Sequence, residues 1–373
     1  MRLVVLTNIV PPYRVPVFNA LADELGDDFS VLCLARTEAN RDWTLRRDAF
    51  RFRYDILPAL HLRGRRPDRT VHLTGTLALK LAQLRPDVLV VGGFDQPPFL
   101  EALALAPWLR YRPVLWSGGH LESARGGRVL VIKRWAVRRA KAFLTYGTAA
   151  TDYLLSLGAP AERIVTSRNA VDVSAFHREG HEVEAAALRQ RLEVGDRPVA
   201  LYVGQLIARK GVDTLIEAVA RVPELQLVLV GAGPDRKALE EKAAALLPGR
   251  THFAGSVPYA ELPSWYAAAD LLVMPSRLEV WGLVLNEAMA AGLPVISSQT
   301  AGATRDLVTD GINGFAVDPD DVAAMADRLG RLAHDPEFRR RAGAASAARI
   351  AEVTPARYAR DFLAAAALAS KER

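Results

Sequence analysis

Short apolar runs alternate with stretches whose apolar positions recur at helical spacing, from one end of the chain to the other. Leu3–Thr7 reads as a strand, and Val15–Leu25 as a helix with Val15, Phe18, Leu21 and Leu25 along one face. Residues 29–34 form a second strand. Residues 76–84 read as a helix stopped by Arg85-Pro86, and Val88–Val91 as a strand stopped by Gly92 and Gly93. An Ala- and Leu-rich helix runs on to about Trp108. Residues 114–116 and 142–145 are further strands, and 148–157 a helix. The second half repeats the alternation, with strands at Val199–Val203, Gln226–Val230, 251–254, Leu271–Met274, 295–297 and 314–316. Helices fall at 182–192, Val212–Ala220, 234–246, Leu262–Ala268, 283–291 and 323–332, and the tail 356–369 is helical. Strand and helix alternating in this way predict βαβ units and parallel sheets.

The chain has 373 residues, which suits two domains better than one. Two similar halves without a repeat of 20 to 50 residues argue against a solenoid. An apolar fraction of 50% and a mean hydropathy near zero describe an ordinary soluble protein with large cores. The single cysteine, Cys33, excludes an internal disulfide and places the expected location in the cytoplasm. Residues 1–10 are apolar but run straight into Pro11-Pro12-Tyr13-Arg14 with no small-residue cleavage site, so they read as a strand and not a signal peptide. No stretch approaches 18 uncharged apolar residues, as a membrane span would require.

Charge is shared unevenly. Residues 1–170 hold 25 Lys+Arg against 15 Asp+Glu, a balance of +10, and residues 171–373 carry a balance of −4. A basic first half suits an anionic partner: a lipid surface, a lipid-linked phosphate or a nucleic acid. Placed on a helix, residues 128–143 set Lys133, Arg134, Arg138 and Lys141 on one face, and Val129, Ile132, Ala136, Ala140 and Phe143 on another. That pattern fits a solvated face on a core-packed helix or a helix lying on a membrane surface on the inner side. Arg63-Gly64-Arg65-Arg66 adds to the basic character. No stacking-aromatic motif supports nucleic acid as the partner.

The most informative run is Pro275 to Pro294. Strand Leu271–Met274 ends in Pro275-Ser276, a loop carries Glu279 and Gly282, and a helix begins near Leu283 with Glu287 one turn inside it. Gly282 permits close backbone approach at a helix N-terminus, where free amides and the positive dipole end suit a phosphate. A carboxylate on each side can accept hydrogen bonds from sugar hydroxyls. Two glutamates eight apart are ordinarily surface charge; this strand, loop, Gly and helix context reads instead as a pocket for a sugar diphosphate. A second anion loop is Gly204-Gln205-Leu206-Ile207-Ala208-Arg209-Lys210-Gly211, which follows one strand and precedes a helix. Its two adjacent cations can neutralise a diphosphate and stabilise the charge that grows as a glycosidic bond breaks. Gly231-Ala232-Gly233 fails as a dinucleotide fingerprint, because Arg236 stands where the third glycine belongs. Pro11 and Pro12 fix their loop; Arg14 after them either packs or meets an acceptor phosphate. No metal-ligand spacing of His, Cys or Asp appears.

The run from Glu279 to Glu287 resembles the E-x7-E motif of the retaining glycosyltransferases of family 4, which share the GT-B fold. Trp265-Tyr266-Ala267-Ala268-Ala269-Asp270, Gly292-Leu293-Pro294 and Asp310-Gly311-Ile312-Asn313-Gly314 fit the flanking pattern, strongly from Pro198 to Asp318 and more loosely before it. The resemblance implies two Rossmann-like, doubly wound α/β domains facing across a cleft. Residues 1–172 would bind the acceptor and 173–353 the nucleotide sugar, with 354–373 packing back on the first. Residues 164–172 resemble the interdomain segment. Glu279 would bind hydroxyls of the transferred sugar and Glu287 the ribose. Gly204, Arg209, Lys210, Val257 and the amides at Gly282 and Leu283 would complete the donor site. His120, after Ser117-Gly118-Gly119, resembles the family histidine that reaches the reaction centre; Asp95 and Glu122 are candidate acceptor contacts. Gln205 stands where relatives often have Arg, which shifts the load onto Arg209 and Lys210. The implied reaction is hexosyl transfer with retention to a hydroxyl of a lipid-linked or anionic glycan precursor, without cofactor or metal. A sugar-nucleotide epimerase of the same fold is the alternative. A phosphorylase would need a lysine-bound pyridoxal site, for which there is no motif.

Overall fold

The computed structural model describes residues 1–37, 47–63, 70–119 and 127–371. They fall into two compact units, Met1–Asn169 with Pro355–Arg373, and Ala170–Thr354. The first contains β1 (Leu3–Thr7), α1 (Val15–Leu25), β2 (Phe29–Cys33), β3 (Arg53–Ile56), β4 (Leu60–Arg63), β5 (Thr70–Leu73), α2 (Leu77–Leu84) and β6 (Val88–Val91). There follow α3 (Pro97–Leu109), β7 (Arg112–Ser117), α4 (Arg128–Arg139), β8 (Ala142–Tyr146), α5 (Gly147–Ser156) and β9 (Ile164–Ser167). The second contains α6 (Glu182–Arg191), β10 (Val199–Val203), α7 (Val212–Ala220), β11 (Gln226–Val230), α8 (Arg236–Leu246), β12 (Thr251–Gly255) and α9 (Leu262–Ala268). It continues with β13 (Leu271–Met274), α10 (Leu283–Ala290), β14 (Val295–Ser298), α11 (Gly302–Leu307), β15 (Gly314–Val317), α12 (Val322–His334) and α13 (Pro336–Ile350). The last helix, α14 (Pro355–Ser370), belongs to the first unit.

Strands β3-β2-β1-β6-β7-β8-β9 make one parallel sheet in the first unit. Both faces are covered, so its central strands are apolar without alternation: Leu3, Val4, Val5 and Leu6 are all fully buried. Leu77, Leu81, Phe99 and Leu103 from α2 and α3 pack with Val4, Leu6, Leu89 and Val91. An aromatic cluster holds α1 and α14 to the sheet: Phe362 lies 5.0 Å from Trp116 and 6.4 Å from Phe18 between ring centroids. The Trp116 indole donates to the Tyr358 hydroxyl at 2.8 Å, and Ser167 donates to Asp361.

The second unit repeats the plan with a parallel sheet ordered β12-β11-β10-β13-β14-β15. Its strand order reverses between β10 and β13, which pair through Ala200–Leu271 and Leu201–Leu272. A reversal of this kind sends the two following crossovers to opposite faces and opens a crevice at the carboxyl ends of those strands. Each unit is thus a doubly wound, Rossmann-like α/β fold.

Several expectations need correction. Residues 164–167 of the stretch read as an interdomain segment are the strand β9, paired in parallel with β8. The basic helix ends at Arg139, so Lys141 is not on it, and Phe143 lies in β8. Val129 and Ile132, placed on an apolar face with the buried Ala136, are each 44% exposed. Strands β3, β4 and β5 and helix α13 were not foreseen. No described helix is long and apolar enough to cross a membrane.

Candidate active site

Both sequence-derived anion loops issue from the strands at the reversal. The loop after β10 runs from Gly204 through a 3-10 turn at Ala208–Lys210 to Gly211, whose φ of +66° starts α7. A β-carbon on Gly211 would collide with the Pro275 carbonyl, so glycine is what lets this loop lie against the one after β13. The loop after β13 closes with Gly282 at φ +96°, directly before the first turn of α10. That leaves the early amides of α10, Leu283 first among them, at the crevice.

Arg277 ties the loops together. Its guanidinium makes two 2.9 Å bonds to Asp213, and others to Thr214 at 2.8 Å, Asp320 at 2.7 Å and the Ala208 carbonyl at 2.7 Å. The Arg277 amide donates to the Arg209 carbonyl at 2.9 Å. Hydrogen bonding to Asp213 holds the Arg277 pKa above its ordinary value, and the same bonding pulls Asp213 below its own against the effect of burial. Sequence reasoning missed Arg277, whose side-chain partners lie on other loops and helices, beyond the reach of a spacing rule.

Lys210 is ion-paired with Glu279, both side chains being about 15% exposed. The Glu279 carbonyl in turn accepts from the Gly302 amide at 3.2 Å. Arg209 points toward the same loop, with Nη1 3.5 Å from the Leu278 carbonyl. Glu287 is buried at 4% exposure and accepts a 2.6 Å bond from the Tyr266 hydroxyl. Burial pushes its carboxyl up to about 7, against the opposing effect of that bond. Tyr266 is the second residue that sequence reasoning missed. The turn Gly231-Ala232-Gly233 supports the basic loop from beneath: the Leu206 amide donates to the Ala232 carbonyl at 2.9 Å. Val257 is half-buried in the loop after β12.

His120 and Glu122 lie outside the described residues. Asp95 is exposed on the turn after β6. Arg14 is only 3% exposed, with its guanidinium over the Trp116 ring at 4.7 Å. Of its two sequence readings, the packing one describes where it is.

A crevice with a two-cation loop, a helix start and two carboxylates is equipped to hold a polyhydroxylated diphosphate. The family models agree in both halves. "Glycosyl transferases group 1" matches residues 184–349, and "Glycosyl transferase 4-like domain" matches residues 16–170. Among curated relatives, a GDP-mannose-dependent alpha-(1-6)-phosphatidylinositol monomannoside mannosyltransferase of Mycobacterium tuberculosis is 31% identical over 90% of this chain and 89% of its own. The chain belongs to the glycosyl transferases group 1 family.

Another relative within the family is the alpha-D-kanosaminyltransferase of Streptomyces kanamyceticus, 37% identical over 56% of this chain and 55% of its own. The first several relatives are matched over about half of their own length. Among solved structures, Anabaena Alr3699/HepE in complex with UDP has a TM-score of 0.80 at 19% identity, covering 98% of this chain and 99% of its own. At that identity the likeness shows the GT-B fold alone.

Proposed function

We propose that the protein is a retaining, metal-independent glycosyltransferase. It moves a hexosyl unit from a nucleotide-diphosphate sugar to a hydroxyl of a lipid-linked or anionic glycan precursor. The observation that carries this reading is the crevice at β10 and β13, where Arg209, Lys210 and the Glu279 loop meet the start of α10. Family relatives act on related chemistry, the mycobacterial one being named as GDP-mannose-dependent.

In this reading the diphosphate lies against Arg209, Lys210, Gly204 and the amides of Gly282 and Leu283. Glu279 accepts hydroxyls of the hexose and Glu287 those of the ribose, and Val257 borders the nucleotide. As the anomeric bond breaks, charge grows on the leaving phosphate. Cations already fixed in place stabilise it without reorganisation, an effect that is usually the largest single contribution to catalysis. The incoming hydroxyl attacks from the side of the leaving group and gives its proton to a phosphate oxygen, so no protein nucleophile is required. His120 hydrogen-bonds at the reaction centre. The basic first unit accepts the anionic acceptor, and the enzyme works in the cytoplasm, peripheral to the inner face of the membrane.

The test is thermal-shift screening against UDP-, GDP- and dTDP-sugars, since a ligand at 100 times its dissociation constant stabilises by roughly 2.7 kcal/mol. A shift with one of them, and hexosyl transfer only when acceptor is added, supports the reading. Turnover of the nucleotide sugar without any acceptor would point to the epimerase instead.

A further inference from the structure

Strands β4 and β5 form an antiparallel ribbon of their own, entered from the carboxyl end of β3. In its register His61 stands opposite His72. The two rings meet edge to face, with centroids 4.9 Å apart and Nδ1 to Nδ1 at 2.7 Å. His61 is exposed, whereas His72 is only 1% exposed. The other ring nitrogen of His72, Nε2, is buried without a partner. The backbone beside His72 is held from α3: the buried Gln96 side chain accepts from the His72 amide at 3.0 Å and donates to the Thr70 carbonyl at 3.0 Å. Gln96 is also the N-cap residue of α3 and closes the loop 92–95 after β6. The first sheet reverses its strand order between β1 and β6, so this loop stands at the mouth of that unit's crevice.

Two touching ring nitrogens need one proton between them. Two neutral rings supply it, and so does one neutral ring with one charged ring, whose bond is the stronger for the charge. When both rings are charged, each Nδ1 carries a hydrogen; the bond is lost and two like charges face each other. His72 is the costlier ring to charge. Burial, and then the His61 charge, lower its pKa, and a hydrogen on Nε2 finds no acceptor. Among the described residues no carboxylate bears on His72. Helix α3 presents it with the neutral Gln96, while Glu101 further along acts on Tyr111. Asp95 acts on Tyr146, and Lys80 of α2 is paired with Asp55. Arg63, registered with Thr70, is the other charged residue of the two strands.

We infer that His61 and His72 form a proton-operated latch, closed with at most one added proton and open with two. Opening parts the ribbon, strips Gln96 of both bonds to β5 and frees the loop after β6. The closed ribbon binds fewer protons than the open one. The open fraction therefore grows as pH falls below the ordinary histidine value of about 6.5, by up to about tenfold per pH unit. That loop belongs to the unit proposed to take the acceptor, and the latch makes it acid-sensitive. Ring titration and amide exchange report the latch without donor or acceptor, so failure of glycosyl transfer leaves it standing, and the reverse holds too.

Full-length protein is taken from about pH 8 to about pH 5, with ring nitrogens followed by NMR and amides by hydrogen exchange corrected for its intrinsic pH dependence. The two rings are expected to titrate in two steps, the second below the ordinary histidine range. Across that step, protection of residues 70–76 and 92–100 should fall together, by up to about tenfold per pH unit, while that of Gln226–Val230 holds. His61→Gln keeps a hydrogen-bonding side chain at an exposed position but cannot take a charge, so protection of 70–76 should become flat with pH. Gln96→Ala should keep the two-step titration and leave 92–100 poorly protected throughout. Rings that titrate independently, or protection of 70–76 that is flat in the parent or falls equally in His61→Gln, would overturn the inference. So would a loop that stays protected while the ribbon opens.

Discussion

The ammonium group of Lys210 is held by the carboxylate of Glu279, 69 positions further along the chain. A largely buried ion pair between two loops leaves an unpaired partner when either member is removed. The two deletions therefore have different consequences. In Glu279→Ala the freed ammonium faces the diphosphate alone. Transfer should fall by about 10² to 10³, the cost of losing one preorganised polar group at the reacting centre. Nucleoside diphosphate affinity should hold or rise, and the protein should stay folded. Lys210→Ala should weaken nucleoside diphosphate binding as well as transfer. Isothermal titration beside steady-state kinetics reads both; normal turnover in Glu279→Ala would remove the residue from the site.

Glu287 gives a pH signature. Its carboxyl titrates near 7 in the folded chain, raised by burial from an ordinary 4.5. Between those values the folded state binds more protons than the unfolded one, so stability falls as pH rises through this window and levels off above 7. Glu287→Gln keeps an oxygen for the Tyr266 hydroxyl and removes the titration. At pH 8 that variant should be more stable than the parent by up to roughly 3 kcal/mol, with the difference vanishing near pH 4. Melting curves across that range check it. Nucleotide-sugar affinity of the parent should rise with pH through 7, because the charged carboxylate is the better acceptor, while the variant binds weakly and without slope.

Arg277 is a positioning residue for the basic loop. One planar fork serves Asp213, Asp320, Thr214 and the Ala208 carbonyl at once. An ammonium cannot reproduce that geometry. Arg277→Lys should therefore behave much like Arg277→Met, with the melting temperature lowered by a few degrees and donor KM raised about tenfold or more. The kcat at saturating donor should be far less affected, since no atom of Arg277 needs to touch substrate. A kcat collapse at unchanged KM would instead put the guanidinium at the reacting atoms.

What could be read in the sequence followed from how locally each feature is encoded. Helix α1 was legible to the residue because its apolar stripe and its terminal Gly26 are both local signals. The strand–loop–helix form of the loops after β10 and β13 was legible for the same reason, each being a continuous strand, glycine and helix string. Strand β9, Ile-Val-Thr-Ser, carries half-buried and exposed positions at a sheet edge and has no apolar run to announce it. Helix α4 was drawn too long because no Gly or Pro separates Arg139 from Ala142. Helix α13 buries small residues such as Ala342, Gly343 and Ser346, which leave no stripe. The Arg277 clamp and the Tyr266–Glu287 bond join residues from separate loops and helices, so no spacing rule reaches them.

Arg14 poses the sharpest test of packing against function. Rings of Trp116, Tyr358, Tyr146 and Tyr13 surround its guanidinium at 4.7, 5.1, 5.2 and 5.3 Å. Its Nη1 is buried without a partner. Burial works against the charge, yet the surrounding phenols outweigh it and the pKa stands above the usual arginine value. An aromatic cage of this kind replaces a carboxylate, each desolvated cation–π contact contributing roughly 1 to 2 kcal/mol against the cost of a dry charge. Arg14→Met fills the space and removes the buried charge together with the contacts that offset it, so it should change stability by about 1.5 kcal/mol or less. Arg14→Ala leaves a cavity between α1, β7 and α14 and should cost about 2 to 5 kcal/mol. Arg14→Lys keeps the charge but not the plane, and should fall between them. If Arg14 instead served an acceptor phosphate, Arg14→Met would lose acceptor affinity with its melting temperature intact. A melting series read beside acceptor KM separates the two, and the burial of the guanidinium predicts that stability, not KM, follows the side chain.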